Sequence, residues 1–201
     1  KIWNASRYVL KNLRGEKDSK INFKKISDPD KWILNNLNIL TDKINDLMDR
    51  YKINKAADLI FHFFWHTYWD WYLEFSKCDL GNKNTGKVLK FTLFRLLQLM
   101  HPFLPFITEE IYKILNLGKE KSLIQTEYPV FTSNLVFTEE SANIELFKKV
   151  IKETRKIRSE NRIRQTQWYR VFLITQSEKE KNNLLKYVKY FKFLTRSSSI
   201  G

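Results

Sequence analysis

The residues best suited to chemistry lie in an aromatic segment in the middle of the chain. His62 and His66 are four residues apart, a spacing that places two imidazoles on one face of an α-helix. Zinc-binding helices use this spacing with an acidic residue between the histidines and a third ligand elsewhere, and neither is evident here. The pattern favours a structural pair of histidines, and a metal-binding or catalytic role is the alternative.

Three carboxylates are the next candidates for acid–base chemistry. Asp70 lies between two tryptophans, where burial would require an ionic or hydrogen-bonding partner. We therefore interpret it as an ion pair or cap that orders the helices. Glu109 and Glu110 stand in the first turn of an expected helix, where negative charge suits the helix dipole. None of the three indicates an acid–base pair.

Other catalytic patterns are missing from the sequence. The five glycines form neither GxGxxG nor GxxxxGK, and no serine stands in a nucleophile elbow. Cys78 is the single cysteine, which excludes an internal disulfide and a cysteine-based zinc site from this chain alone. It also favours a cytoplasmic setting, and no signal peptide is visible. We predict that this piece has no catalytic site, no metal and no cofactor of its own.

The positive charge of the chain is concentrated at its two ends. The net charge is +14. Residues 1–28 hold eight Lys/Arg against three Asp/Glu, residues 29–141 hold thirteen against fourteen, and residues 142–201 hold fifteen against five. A nearly neutral body with basic ends suggests a polyanion held at particular places. A lysine-rich proteome is the alternative explanation.

Hydrophobic spacing predicts an antiparallel bundle of helices. The Asp28-Pro29 pair indicates a helix start with Asp28 as the N-cap, and Asn54 is expected to cap the next helix, which is apolar nearly all round. Since the connections are short, the helices should alternate up and down. The helices predicted are 1–13, 29–51, 55–77, 87–100 and 105–117.

The chain is therefore expected to be mainly α, with three parts. Residues 1–118 would form the helical bundle, and residues 119–141 a linker. Residues 142–201 would form a basic helix, spanning roughly 143–164, and a small α+β appendage with a strand at 169–175 and a helix at 178–190. The first and last residues, Lys1 and Gly201, are expected to be excision points within a longer protein.

Several segments resemble the valyl-tRNA synthetases, which are class I aminoacyl-tRNA synthetases. They are KIWNASRYVLKNL (1–13), SDPDKWILNNLN (27–38), FFWHTYWDWYLEFSK (63–77) and LLQLMHPFLPFITEEIYKIL (96–115). The last run is shared with the isoleucyl and leucyl enzymes, whereas the Trp-Asn-Ala-Ser-Arg opening and the Asp-Trp-Tyr-Leu-Glu segment favour the valyl family. TRKIRSENRI (154–163) extends the likeness, but residues 164–166 stand where relatives usually have a proline.

The resemblance implies the anticodon-binding helical bundle of a valine–tRNA ligase, a monomer that attaches valine to tRNA(Val) with ATP and Mg²⁺. HIGH-like and KMSKS-like motifs are absent from the sequence. The resemblance therefore implies that the catalytic and editing domains precede Lys1 and that a coiled-coil arm follows Gly201. Two alternatives are the same domain of an isoleucyl- or leucyl-tRNA synthetase, and a helical scaffold that binds an acidic protein.

An up-down bundle predicts where the tRNA would bind. The end of the first helix, the loop after it and the start of the fourth helix should meet at one end, where cations and exposed rings could hold an unstacked anticodon loop. Arg7 is the first choice for a base or loop contact and Trp32 the second. The predicted anticodon-binding residues are Arg7, Lys11, Arg14, Phe23, Lys24, Lys25, Lys31, Trp32, Lys83, Lys87 and Lys90.

The basic helix near the end of the sequence offers a second set of cations. Such a helix could lie along the tRNA backbone and add affinity without reading sequence. Alternatively, it could pack on the bundle with its charges in water. The predicted backbone-binding residues are Lys152, Arg155, Arg158 and Arg162.

Overall fold

The computed structural model describes residues 1–12, 21–164, 167–174 and 177–200. The chain divides into two compact units, Lys1–Thr138 and Glu139–Gly201. The segment expected as a linker, 119–141, therefore belongs to the first unit except for its last three residues. Arg14, one of the predicted binding residues, lies outside the described residues.

Helices account for most of the first unit, as the sequence predicts. The helix at Asp28–Asp49 begins, the helical stretch 53–77 ends and the helix at Lys83–Met100 begins at one end of the unit. These three rods therefore alternate in direction. The elements are α1 (Ile2–Asn12), α2 (Asp28–Asp49), α3 (Ile53–Phe63), a π-helical segment (Phe64–Tyr72), α4 (Leu73–Lys77), α5 (Lys83–Met100), α6 (Pro105–Leu115) and two short 3₁₀ turns (Leu123–Gln125 and Ser133–Leu135). The expected mainly α, up-down bundle is confirmed.

The local sequence explains where α2 begins. Ser27 is the N-cap, and its side chain accepts a hydrogen bond from the Asp30 backbone N–H. The Asp30 carboxylate in turn accepts one from the Ser27 backbone N–H, which completes a capping box. The prediction of Asp28 as the N-cap is wrong by one residue, because the reciprocal pair is spaced three residues apart and only Ser27 has its partner at that distance.

The third rod runs without a break through α3, the π-helical segment and α4. The rings of Phe64, Tyr68 and Tyr72 succeed one another along its buried side, with centroids 5.7 and 5.9 Å apart. Asp70 is exposed instead of buried, and its carboxylate lies 3.2 Å from the Nδ1 atom of His66. Among the described residues, no group of three His, Cys, Asp or Glu side chains could hold a metal ion. Nor is any described helix long and apolar enough to cross a membrane.

The segment that follows α6 packs along α2 through side-chain amides. Asn38 exchanges two hydrogen bonds with the backbone of Thr132, at 2.9 and 2.8 Å. Asn35 accepts one from the Phe137 backbone N–H, and Asn45 donates one to the Pro129 carbonyl. The side-chain amides of α2 thus supply hydrogen-bond partners for the irregular backbone of residues 129–137, which fixes this segment to the bundle.

Among its described residues, the second unit combines three helices with two strands. Its elements are α7 (Thr138–Glu160), β1 (Tyr169–Val171), α8 (Glu178–Leu185), α9 (Val188–Thr195) and β2 (Ser197–Ile200). The strands pair in parallel. Phe147 on α7 packs against Tyr187 and Phe191, with ring centroids 5.1 and 6.3 Å away. The predicted helix 178–190 is in fact two helices, and the predicted strand 169–175 is shorter.

A buried carboxylate joins the rods at one end of the first unit. Asp30 is 1% exposed. Its Oδ1 atom accepts a hydrogen bond of 2.8 Å from the Tyr72 hydroxyl, and its Oδ2 atom accepts one of 2.8 Å from the Thr85 hydroxyl. Ser27 donates two more, from its backbone N–H at 3.2 Å and its hydroxyl at 2.9 Å. One side chain therefore connects α2, the third rod, α5 and the turn before α2.

We expect Asp30→Ala to lower the free energy of unfolding by about 2–4 kcal/mol, because it leaves four hydroxyl and amide donors without their acceptor, among them the buried hydroxyls of Tyr72 and Thr85. Urea unfolding followed by circular dichroism measures this loss. Asp46→Ala is the matched control, since Asp46 lies on the same helix in an exposed ion pair with Arg50, and its loss should stay below about 1 kcal/mol. Equal losses for the two variants would contradict the role given to Asp30.

The stability of the chain should also depend on pH through Asp30. Burial raises the pKa of this carboxyl above the ordinary value of 3.8, because the loss of hydration outweighs the hydrogen bonds that it accepts. At pH values between 3.8 and the raised pKa of the folded state, the folded chain holds the proton and the unfolded chain does not. Stability therefore falls as pH rises through this range. Asp30→Asn should lack this fall. Urea midpoints of both proteins at several pH values test it, and parallel curves would contradict it.

Candidate nucleic-acid interface

A tight turn precedes α2 and carries an exposed ring at its apex. The Lys25 backbone N–H donates to the Asn22 carbonyl at 2.9 Å, and the Lys24 N–H donates to the Asn22 side-chain oxygen at 3.1 Å. These bonds place Phe23 and Lys24 at the two central positions of the turn. Phe23 is 41% exposed, and both lysines are exposed. The turn therefore presents one aromatic face and two cations to solvent.

The start of α5 lies beside this turn. The Asn84 side chain donates to the Lys25 carbonyl at 3.5 Å, and the Thr85 hydroxyl reaches Asp30 at the start of α2. Lys83, next to Asn84, is exposed, whereas Lys31 and Lys87 are half-buried. We call this surface the cationic end and define it by six residues: Phe23, Lys24, Lys25, Lys31, Lys83 and Lys87.

Helix α1 reaches the same end of the unit. The Tyr8 hydroxyl lies 2.9 Å from the Ser76 hydroxyl, one residue before the end of α4. Lys11 is exposed in the last turn of α1. In contrast, Lys90 is half-buried almost two turns beyond Lys83 on α5, so it lies away from the tip. The first, second and fourth predicted helices (α1, α2 and α5) thus meet at this end of the unit. Lys11 lies at this end, whereas Lys90 does not.

Arg7 lies on the side of the bundle. It is exposed and lines a narrow groove between α1 and α6, together with Trp3, Leu10 and Ile114. One helical turn separates it from Lys11. A loop that docks on the cationic end would have to extend along α1 to meet the Arg7 guanidinium.

Trp32 has no part in an exposed surface. Its exposure is 0%, and its ring packs edge-on against Phe75 at 5.9 Å. The prediction that Trp32 contacts a base or the anticodon loop is therefore wrong for this fold. The physical reason is its position in the second turn of α2, on the face that turns towards the third rod.

The charge of the cationic end is only partly offset by acids. Asp28 lies 3.7 Å from Lys31. Asp30 and Asp79 are buried, and Glu74 pairs with Lys77. The first turn of α2 contains two acids, whereas that of α5 contains none. The α5 side of this end is therefore the more favourable one for phosphate.

The cations of the second unit are arranged differently from the prediction. Arg155 donates two hydrogen bonds to the Leu194 carbonyl, at 3.3 and 3.0 Å, and Arg158 donates to the Thr195 carbonyl at 2.9 Å. These guanidiniums hold the C-terminal end of α9, where carbonyls lack helical partners. Arg155 and Arg158 therefore have a structural role in this unit, and their contact with a tRNA phosphate stays a prediction. Lys152 and Arg162 are exposed.

The sequence reading missed the residues that build the cationic end from within. Asp30, Tyr72, Thr85 and Asn84 carry the hydrogen bonds that hold the turn and the two helix starts together. A signal for Asp30 was present, because Ser27-x-x-Asp30 has the spacing of a capping box. Spacing along the chain gives no comparable signal for Tyr72 or Thr85, which meet Asp30 from 42 and 55 residues away.

Comparison with known proteins identifies the family. Residues 30–173 match the family described as anticodon-binding domain of tRNA ligase. The valine–tRNA ligase of Enterococcus faecalis is 39% identical over 170 residues, which make up 80% of this chain and 19% of that protein. The enzyme of Aquifex aeolicus is 32% identical over 196 residues (89% and 17%), and that of Prochlorococcus marinus is 31% identical over 210 residues (100% and 23%).

The chain thus spans about a fifth of the length of the curated relatives it matches. The family match begins at Asp30, runs through the bundle and ends at residue 173 in the second unit. It therefore covers well over half of the chain and includes the start of α5, whereas the turn at residues 22–25 lies before it. On these grounds, the chain belongs to the family of anticodon-binding domains of tRNA ligases.

Proposed function

We propose that this chain is the tRNA-recognition module of a valine–tRNA ligase and that its cationic end receives the anticodon loop of tRNA(Val). The observation that carries the proposal is the turn at residues 22–25. It presents a ring and two lysines, and the hydrogen bonds of Asp30 with Ser27 and Thr85 connect it to the starts of α2 and α5. Relatives that bear the name valine–tRNA ligase support the choice of amino acid.

The proposed mechanism divides the work between cations and ring. Lys24, Lys25 and Lys83 would hold phosphates of the loop, which gives affinity without sequence information. Phe23 would stack on one splayed base, since an aromatic face accepts any base. Arg7 would donate hydrogen bonds to a base or phosphate further along the loop. Discrimination then falls on the middle and third anticodon bases, A and C for valine.

The remaining steps of the reaction would take place elsewhere in a longer protein. There, ATP and Mg²⁺ would serve to attach valine to the tRNA, and an editing site would remove mischarged threonine. We propose a cytoplasmic, monomeric enzyme in which the catalytic and editing domains are part of the same polypeptide. This module would contribute recognition alone.

We expect binding to depend on the anticodon. Fluorescence titration of the chain with tRNA(Val) transcripts should show weaker binding when the middle A or the third C is changed, because each base loses its matched hydrogen bonds. A preference for isoleucine or leucine anticodons would assign the module to an isoleucyl- or leucyl-tRNA synthetase instead. Equal binding of every transcript, or no binding, would contradict anticodon recognition.

Arg7→Ala should weaken tRNA(Val) binding by about 1–3 kcal/mol, because a charged hydrogen bond to the loop is lost. The dissociation constant at physiological salt measures this effect. Arg50→Ala is the matched control, since Arg50 is an exposed arginine paired with Asp46 at the opposite end of α2. A dissociation constant that stays the same in Arg7→Ala would remove Arg7 from the interface.

Phe23→Ala should weaken binding by about 1–3 kcal/mol through the loss of base stacking, with little effect on folding because the ring is exposed. Phe106→Ala is the control, since Phe106 is 90% exposed and lies in the first turn of α6, away from the turn at residues 22–25. The same titration, together with a thermal melt of each variant, tests the idea. If Phe106→Ala weakens binding as much as Phe23→Ala does, the turn is not the docking point.

A further inference from the structure

The second unit exposes one side of β1 and of the residues that adjoin its two ends. From Trp168 to Ile174 every second side chain is exposed, and the residues between them are half-buried. Trp168 is 66% exposed and Phe172 is 74% exposed, with Arg170 exposed between them. Large apolar side chains rarely stand in water in such a row, so the row suggests a binding surface. We call Trp168, Arg170 and Phe172 the strand face.

The strand that carries this face is held firmly from behind. The Tyr169 hydroxyl donates to the Thr195 carbonyl at 2.9 Å, and the Arg158 guanidinium lies 4.9 Å from the centre of the Tyr169 ring. β1 pairs with β2, and the one extra residue of the pair, Ser198, is on β2. The alternation of side chains along β1 is therefore unbroken. Of the strand face, Arg170 lies within β1, and Trp168 and Phe172 adjoin its two ends.

Spacing and charge together indicate the class of ligand. Alternate residues of a strand are about 6.6 Å apart, so the face offers three consecutive platforms, each a ring or a planar guanidinium. Aromatic rings and arginine planes are the groups on which unpaired bases stack. An apolar protein surface would leave Arg170 buried without an acceptor. The unit as a whole, residues 139–201, holds fifteen Lys/Arg against seven Asp/Glu, which favours a polyanion.

We propose that the strand face is a binding site for unpaired RNA nucleotides, with bases stacked on Trp168 and Phe172 and the chain of phosphates drawn in by Arg170. This site is separate from the cationic end and does not depend on anticodon recognition. It reads the presence of a single strand and not its sequence, since stacking is available to every base.

Fluorescence anisotropy of the 201-residue chain with a labelled ten-nucleotide oligouridylate tests the site. Trp168→Ala and Phe172→Ala should each weaken binding at least about fivefold, the effect of losing one stacked base. Phe193→Ala is the matched control, because Phe193 is an exposed aromatic residue in the same unit, 48% exposed on α9. It should leave binding unchanged. A blunt-ended RNA duplex, which has no unpaired nucleotide, should be bound equally by all four proteins.

Two further measurements separate this proposal from its rivals. Trp168→Ala and Phe172→Ala should cause the same loss of binding in a chain that also carries Phe23→Ala. Since Phe23→Ala removes stacking at the cationic end, a loss that persists shows that the two sites are distinct. Failure of the chain to bind oligouridylate, or equal losses for Phe193→Ala, would overturn the proposal. So would variants that alter only the sedimentation behaviour of the chain, since the strand face would then be a contact between proteins.

Discussion

The first unit depends on one buried carboxylate that is satisfied from several elements at once. Asp30 lies where α2 begins, and its acceptors are filled by the Tyr72 and Thr85 hydroxyls and by Ser27. A buried charge with too few donors would be costly, whereas a fully bonded one fixes the geometry of every donor. The shape of the cationic end follows from this constraint, because the turn before α2 and the start of α5 cannot move apart without breaking a hydrogen bond to Asp30.

The same arrangement separates stability from recognition. The interior of the cationic end is made of neutral hydroxyls, a carboxylate and the ring of Trp32, all buried. Its exterior consists of lysines and the Phe23 ring, and Phe23, Lys24, Lys25 and Lys83 are exposed. Exposed residues can therefore be tuned to a nucleic acid without disturbing the core, since surface substitutions change stability little. In the second unit, Tyr169 is half-buried in β1, whereas the preceding residue, Trp168, is 66% exposed.

The sequence predicts the fold well where periodicity is strong and less well where contacts are distant. The aromatic run around Tyr68 and Tyr72 predicts a helix, and it is one, although the π-helical turns have no signature in spacing. The expectation that other helices surround it is wrong, because Phe61 and Trp65 are 41% and 42% exposed. Trp32 shows the limit of reading a site from proximity, because a tryptophan among lysines in sequence can still face the core. Arg155 and Arg158 show the same limit: the carbonyls that they bind belong to α9, about 40 residues later.

The account centres on the claim that an anticodon loop docks on the turn at residues 22–25 and the start of α5. Photo-crosslinking measures this contact directly, with a tRNA(Val) that carries 4-thiouridine at an anticodon position and with peptide mapping by mass spectrometry. The account predicts crosslinks within residues 22–31 and 82–87. Crosslinks confined to the opposite end of the unit, around the turn between α5 and α6 at residues 101–107, would contradict it.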